Sequence, residues 1–273
     1  MDTSFDLAMI DRSSSAPPVR GRYAKYLPFR YVRLLPIRCN GLFSVPAPPF
    51  RFCERRGFFV TTMWQLTGTK AQFASSRCTC TIDLSRSPFG LRNIRVAPDN
   101  DQLVLDDCRL LQLESGGGLP EDSYARGQDL FVSIGESEQA PFRTQIYWRA
   151  INEADHFGFE AILSVQTSRW HVSPELELSS RILGEHTAVD SRAMLVTLPS
   201  TEVSYLEIAH SSNHNATTID CDCIKHHLFG GHLEKGVIRR ARVRGLFLPT
   251  NQANQLTTSF QEQFERSPPP LTT

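Results

Sequence analysis

The chain has 273 residues, room for one large β domain or two small ones, and its 29 basic side chains match 29 acidic ones. The balance is uneven: residues 1–62 carry nine arginines and one lysine against four acids, which leaves 63–273 mildly acidic. An acidic body argues against nucleic-acid binding, which needs cations to displace phosphate counterions, and no run is long and apolar enough to span a membrane.

Residues 1–62 read as a basic, irregular leader. They hold Pro17-Pro18, Pro46, Pro48 and Pro49, and arginines interrupt every apolar run, so no period of 2 or 3.6 persists. Arg55-Arg56 followed by Gly57-Phe58-Phe59 has the form of a twin-arginine export signal, but the sequence after it is too polar for a signal core. Strand-like alternation begins at Met63, where the native chain is expected to start, with a single β-rich domain over 63–273.

Along 77–84 the apolar residues Cys78, Cys80, Ile82 and Leu84 share one strand face, which reads the two cysteines as core. A turn at Ser87-Pro88-Phe89-Gly90 leads to a strand at 91–96, and a turn at 98–101 to strands over 102–105 and 108–114. Ser115-Gly116-Gly117-Gly118 opens a loop expected to run to about Gln128. The clearest hairpin pairs 142–150 with 156–168: Phe142, Thr144, Ile146 and Trp148 line one face of its first strand, and Phe157, Phe159, Ala161, Leu163 and Val165 that of its second. Strands follow at 175–180, 193–198, 201–210 and 236–248, with Glu185-His186 read as part of a turn. Leu256, Phe260 and Phe264 recur at helical spacing after a possible cap at Asn251, and Ser267-Pro268 ends that helix. The fold class expected is all-β, an antiparallel sandwich or barrel, closed by a short C-terminal helix.

Seven cysteines, four of them in the C-x-C pairs Cys78/Cys80 and Cys221/Cys223, suit disulfides poorly and point to a reduced, cytoplasmic protein. Three features carry possible chemistry. The first is the stretch 210–232, where His210, His214, Cys221, Cys223, His226, His227 and His232 gather. If 220–225 is a strand, Cys221 and Cys223 share a face and can reach one zinc ion, with His226, His227 or His232 as further ligands; otherwise the thiols are core and the histidines polar loop residues. The second is the row Arg240, Arg242 and Arg244 on one face of the 236–248 strand, which either grips an oxyanion or pairs with acids on neighbouring strands. The third is Trp170, just before the Pro174 turn and the better surface candidate for stacking on a sugar; Trp148 belongs to a core face. Nucleophile-elbow, phosphate-loop, H-E-x-x-H and dinucleotide motifs are absent. Together these features point to a non-catalytic binding or interaction module for an anionic small molecule, a sugar or a protein partner, the alternative being a zinc-dependent enzyme built on 210–232.

Overall fold

Alternation of apolar and polar residues becomes strand through most of the computed structural model, which describes residues 63–97, 102–114 and 118–268. The basic leader and its twin-arginine pattern lie outside the described residues. The N-terminal strands are β1 (Met63–Thr67), β2 (Lys70–Ala74), β3 (Cys78–Asp83), β4 (Phe89–Val96), β5 (Leu103–Leu105) and β6 (Arg109–Glu114). A meander follows: β7 (Asp122–Arg126), β8 (Asp129–Ile134), β9 (Arg143–Asn152) and β10 (Phe157–Gln166). Next come β11 (Leu176–Arg181), β12 (Glu185–Ala188), β13 (Ala193–Thr197), β14 (Val203–Ala209), β15 (His214–Asp220) and β16 (Cys223–Leu228). The chain ends with β17 (Ile238–Pro249) and α1 (Thr250–Arg266).

These strands pair antiparallel into two sheets. One runs β1-β2-β3-β4-β6-β11-β16-β15, with β5 added to β4; the other runs β12-β13-β14-β17-β10-β9-β8-β7. Their inner faces share one hydrophobic core, because side chains alternate across each strand and the apolar set of both sheets points inward. In β3 the burial alternates residue by residue, with Cys78, Cys80 and Ile82 inside. Trp148 on β9 is fully buried and donates its indole hydrogen to the Leu111 carbonyl of the facing sheet at 3.0 Å. At one side the sheets are drawn together where the Trp64 amide of β1 donates to Gly127 O, beside β7, at 2.9 Å.

The second sheet is covered on its other face as well. Ala253, Phe260 and Phe264 of α1 pack on Ala193, Leu195, Leu206, Ile208, Leu246 and Leu248 of β13, β14 and β17. Burying each phenylalanine contributes roughly 1.5–3 kcal/mol, so this small second core suffices to dock the helix. No helix among the described residues is long and apolar enough to cross a membrane.

The all-β antiparallel architecture with one C-terminal helix agrees with the sequence pattern, and four local expectations need correction. The loop foreseen to Gln128 contains β7, which turns at Gly127 (φ +58) into β8 and stacks Tyr124 on Phe131 at 4.7 Å. Glu185-His186 belongs to the edge strand β12, and His214–Asp220 forms the edge strand β15. The helix begins at Thr250, so Asn251 lies inside its first turn and is not the cap; Pro249, whose fixed φ suits a helix start, precedes it.

Candidate functional site

The arginine row of β17 lies on the face that α1 covers. Arg242 is only 4% exposed; its Nε donates to Glu160 Oε1 on β10 at 2.7 Å, and its terminal nitrogens donate to the Ser267 carbonyl and hydroxyl at 2.8 and 3.1 Å. Arg244 donates to the other Glu160 oxygen at 2.7 Å, and both guanidinium groups stack on the Phe264 ring. Register explains this: Arg244 pairs with Glu160 across the sheet, and Arg242 lies one step along the same face. Two cations on one buried carboxylate, capped by an aromatic ring, clamp the C-terminal end of α1. Arg240 stands half-buried one further step along, beyond the clamp.

The His/Cys stretch disperses. Cys221 and Cys223 were expected on one strand face; instead Asp220 pairs with Cys223 across a two-residue turn, and Cys221 sits in that turn, exposed, with φ +52. Cys223 starts β16 half-buried, and burial pushes its thiol up. On β16 the side chains alternate, so His226 and His227 point to opposite faces. His226 is fully buried with Nε2 3.0 Å from Glu207 Oε1 on β14. His227 Nε2 lies 3.3 Å from the Thr218 hydroxyl and its Nδ1 3.7 Å from Glu177. His232 is beyond the strand, its Nδ1 3.0 Å from the Ser173 hydroxyl. Among the described residues no three His, Cys, Asp or Glu side chains converge as a metal site.

Trp170 is 71% exposed, and Lys235 Nζ lies 5.9 Å above its ring. Lys235 also lines a cleft of about 550 Å³ formed with Glu121, Glu136, Arg143, Gln166 and Ser168. The cleft gathers the end of β10, the start of β9 and the loops that follow β8 and precede β17. The loop bearing Trp170 is tied down from below: Gly236 N–H donates to Thr167 O at 3.0 Å, and Leu233 N–H to Val172 O at 2.6 Å. Glu136 accepts hydrogen bonds from the Ser168 amide and hydroxyl, both at 2.7 Å, and Arg143 lies 3.5 Å from Glu121. Two carboxylates therefore balance two cations around the cleft.

Two other concavities have neither Trp170 nor Lys235 in their lining. The cavity over Phe157 and Phe247 holds Arg77, whose guanidinium stacks on Phe157 at 4.5 Å and donates to the carbonyls of Glu153, Ala154 and His156. A wider one of about 1380 Å³, beside the start of α1, has no aromatic side chain in its lining. Trp170 was legible from its place before a proline turn. Glu121, Glu136 and Arg143 were not, since nothing in their local sequence links segments so far apart.

No family model matches the chain, and no curated protein does. Solved structures give distant likenesses. A protein described as a kojibiose phosphorylase from human microbiome matches at 7% identity over 71% of this chain and 28% of its own, TM-score 0.39. The YidC insertase matches at 11% identity over 74% and 44%, TM-score 0.32, and a heparinase III gene product at 10% over 71% and 35%, TM-score 0.34. The chain thus spans less than half the length of each, and at these scores the likenesses carry no argument about function.

Proposed function

We propose that this protein is a carbohydrate-binding module whose site is the cleft beside Trp170. The observation that carries this reading is the exposed Trp170 ring facing Lys235, which itself lines a polar, charge-balanced cleft. A pyranose has one face of C–H bonds that packs on an indole and a rim of hydroxyls that both donate and accept. The carboxylates of Glu121 and Glu136, the amide of Gln166 and the cations Arg143 and Lys235 suit that rim. With two charges of each sign the cleft favours a neutral saccharide over a strongly anionic ligand. Arg242 and Arg244, engaged with Glu160 and α1, act in this reading as structure, and ligand recognition falls to the opposite end of β17.

The test is retention of the protein on a panel of immobilised neutral and acidic polysaccharides, followed by calorimetry with the oligosaccharide of whichever is bound. Trp170→Ala is expected to weaken binding about tenfold, the worth of roughly 1.4 kcal/mol of stacking. Because Trp170 is exposed, the variant keeps its fold. Binding that survives the substitution unchanged, or no retention on any polysaccharide, would overturn the reading.

A further inference from the structure

The sandwich contains a chain of polar side chains that joins its two sheets and surfaces at an edge. On β14, Tyr205 and Glu207 point inward, both buried, and the Tyr205 hydroxyl donates to Glu207 Oε2. Gly245 on β17 makes room for it: a Cβ there would fall 2.2 Å from the Tyr205 oxygen. Glu207 Oε1 lies 3.0 Å from His226 Nε2 on the facing sheet, His226 Nδ1 lies 2.9 Å from the Thr217 hydroxyl on β15, and His214 Nε2 lies 2.9 Å from the same hydroxyl. Thr217 and His214 are half-buried, and β15 is the terminal strand of its sheet, so the chain ends at a free edge among the described residues.

With Glu207 a carboxylate and His226 in its neutral form, His226 Nε2 donates to Glu207 and Nδ1 is left as an acceptor. The Thr217 hydroxyl therefore donates to His226 and accepts from His214. Burial pushes His214 down to about 4, so its ring is neutral near pH 7, and in the tautomer with its hydrogen on Nε2 it donates to the Thr217 hydroxyl. One lone pair of the Thr217 oxygen stays unoccupied. A hydroxyl on an imidazole that is itself held by a buried carboxylate is the arrangement of nucleophile, base and orienting acid that recurs in acyl-transfer sites on unrelated folds.

We propose that Thr217 is a nucleophile for ester cleavage, with His226 as its base, Glu207 as the positioning residue and His214 as an oxyanion donor. The Thr217 oxygen bonds to the ester carbonyl carbon while its proton passes to His226 Nδ1. The resulting oxyanion forms on the carbon bonded to that oxygen, and His214 Nε2–H, 2.9 Å from the Thr217 oxygen, shifts to donate to it. Collapse breaks the ester C–O bond, and the departing alkoxide takes the proton from Nδ1. Water then attacks the acyl-threonine, gives its proton to Nδ1, and releases the acid as the proton returns to Thr217. This activity is separate from the saccharide cleft and stands or falls without it.

The experiment uses the whole wild-type chain with a fluorophosphonate probe and p-nitrophenyl acetate. Peptide mapping is expected to place the phosphonyl adduct on Thr217, and p-nitrophenol release is expected to fall at least about 100-fold in Thr217→Ala, the usual span of removing such a group. Thr217→Ser retains both labelling and release. Mapping needs no variant, so a folding defect in Thr217→Ala leaves it decisive. An unlabelled Thr217, or equal release by Thr217→Ala, overturns the proposal.

Discussion

The two C-x-C motifs have the same spacing and opposite environments. Cys78 and Cys80 lie on β3, between β2 and β4, and Cys80 is 1% exposed; Cys221 and Cys223 straddle a turn at the sheet edge, with Cys221 exposed. The difference lies in the residues between and beside the cysteines. Thr79 and Thr81 are β-branched and keep a strand extended, whereas Asp220 and Asp222 are of a residue type depleted in strands and favoured in turns. Alternation places side chains only while the strand continues. The alternative of a zinc site at 221–232 depended on that continuity, and the turn takes Cys221 and Cys223 off a shared face.

The largest test of the contrast puts a carboxylate into each environment. Cys80→Asp buries an unpaired acid between Phe73 and the facing sheet and is expected to cost at least about 3 kcal/mol, while Cys221→Asp stays within about 0.5 kcal/mol of wild type. Urea denaturation of the two variants measures both. Similar losses at the two positions would mean that their environments do not differ as described.

Alkaline pH separates the motifs more gently. Burial pushes the Cys78 thiol up from 9.0 to about 12. In the unfolded chain the thiol ionises near 9, so between pH 9 and 12 the native state holds a proton that the unfolded state has lost. The stability linked to this thiol is complete below pH 9 and declines as pH rises through that window, by at most about 1.4 kcal/mol per pH unit. Denaturation midpoints at pH 8, 9.5 and 10.5 are expected to fall less steeply for Cys78→Ala than for wild type.

The same physics decides how much was legible in the sequence. The β9–β10 hairpin, the long β17 and the helix through Phe260 and Phe264 could be read because a buried face forces apolar residues at a fixed period. Among the strands missed, β7, β12 and β15 are edges: their sequences DSYAR, EHTA and HNATTID pack on few neighbours, so nothing compels them to alternate. By contrast β8 (DLFVSI) is interior and buried on both faces, which erases the alternation in another way. Trp170 could be placed on the surface, but its cleft depends on which loops meet. Glu207 was within reach, being the only charge in the apolar run VSYLEIA, since a lone acid in a two-faced buried strand requires a partner. Its partner His226 was hidden by its neighbours, six other candidate metal ligands crowded into the same stretch.

The smallest effect concerns backbone alone. Cys221 holds φ +52, a left-handed conformation that costs a residue with a Cβ about 1 kcal/mol and glycine almost nothing. Glycine also enlarges the entropy of the unfolded chain, which offsets part of that relief. Cys221→Gly is thus expected to stabilise by about 0.5 kcal/mol, read as a rise of a degree or two in Tm for a domain of this size. Cys80→Gly, on an extended strand in the core, has no strain to relieve and empties a packed site, so its sign is the reverse. If Cys221→Gly lowers Tm, the turn is held by the Cys221 side chain rather than by its backbone. The thiol at 221 would then be structural after all, and the contrast between the two motifs would shrink to one of exposure.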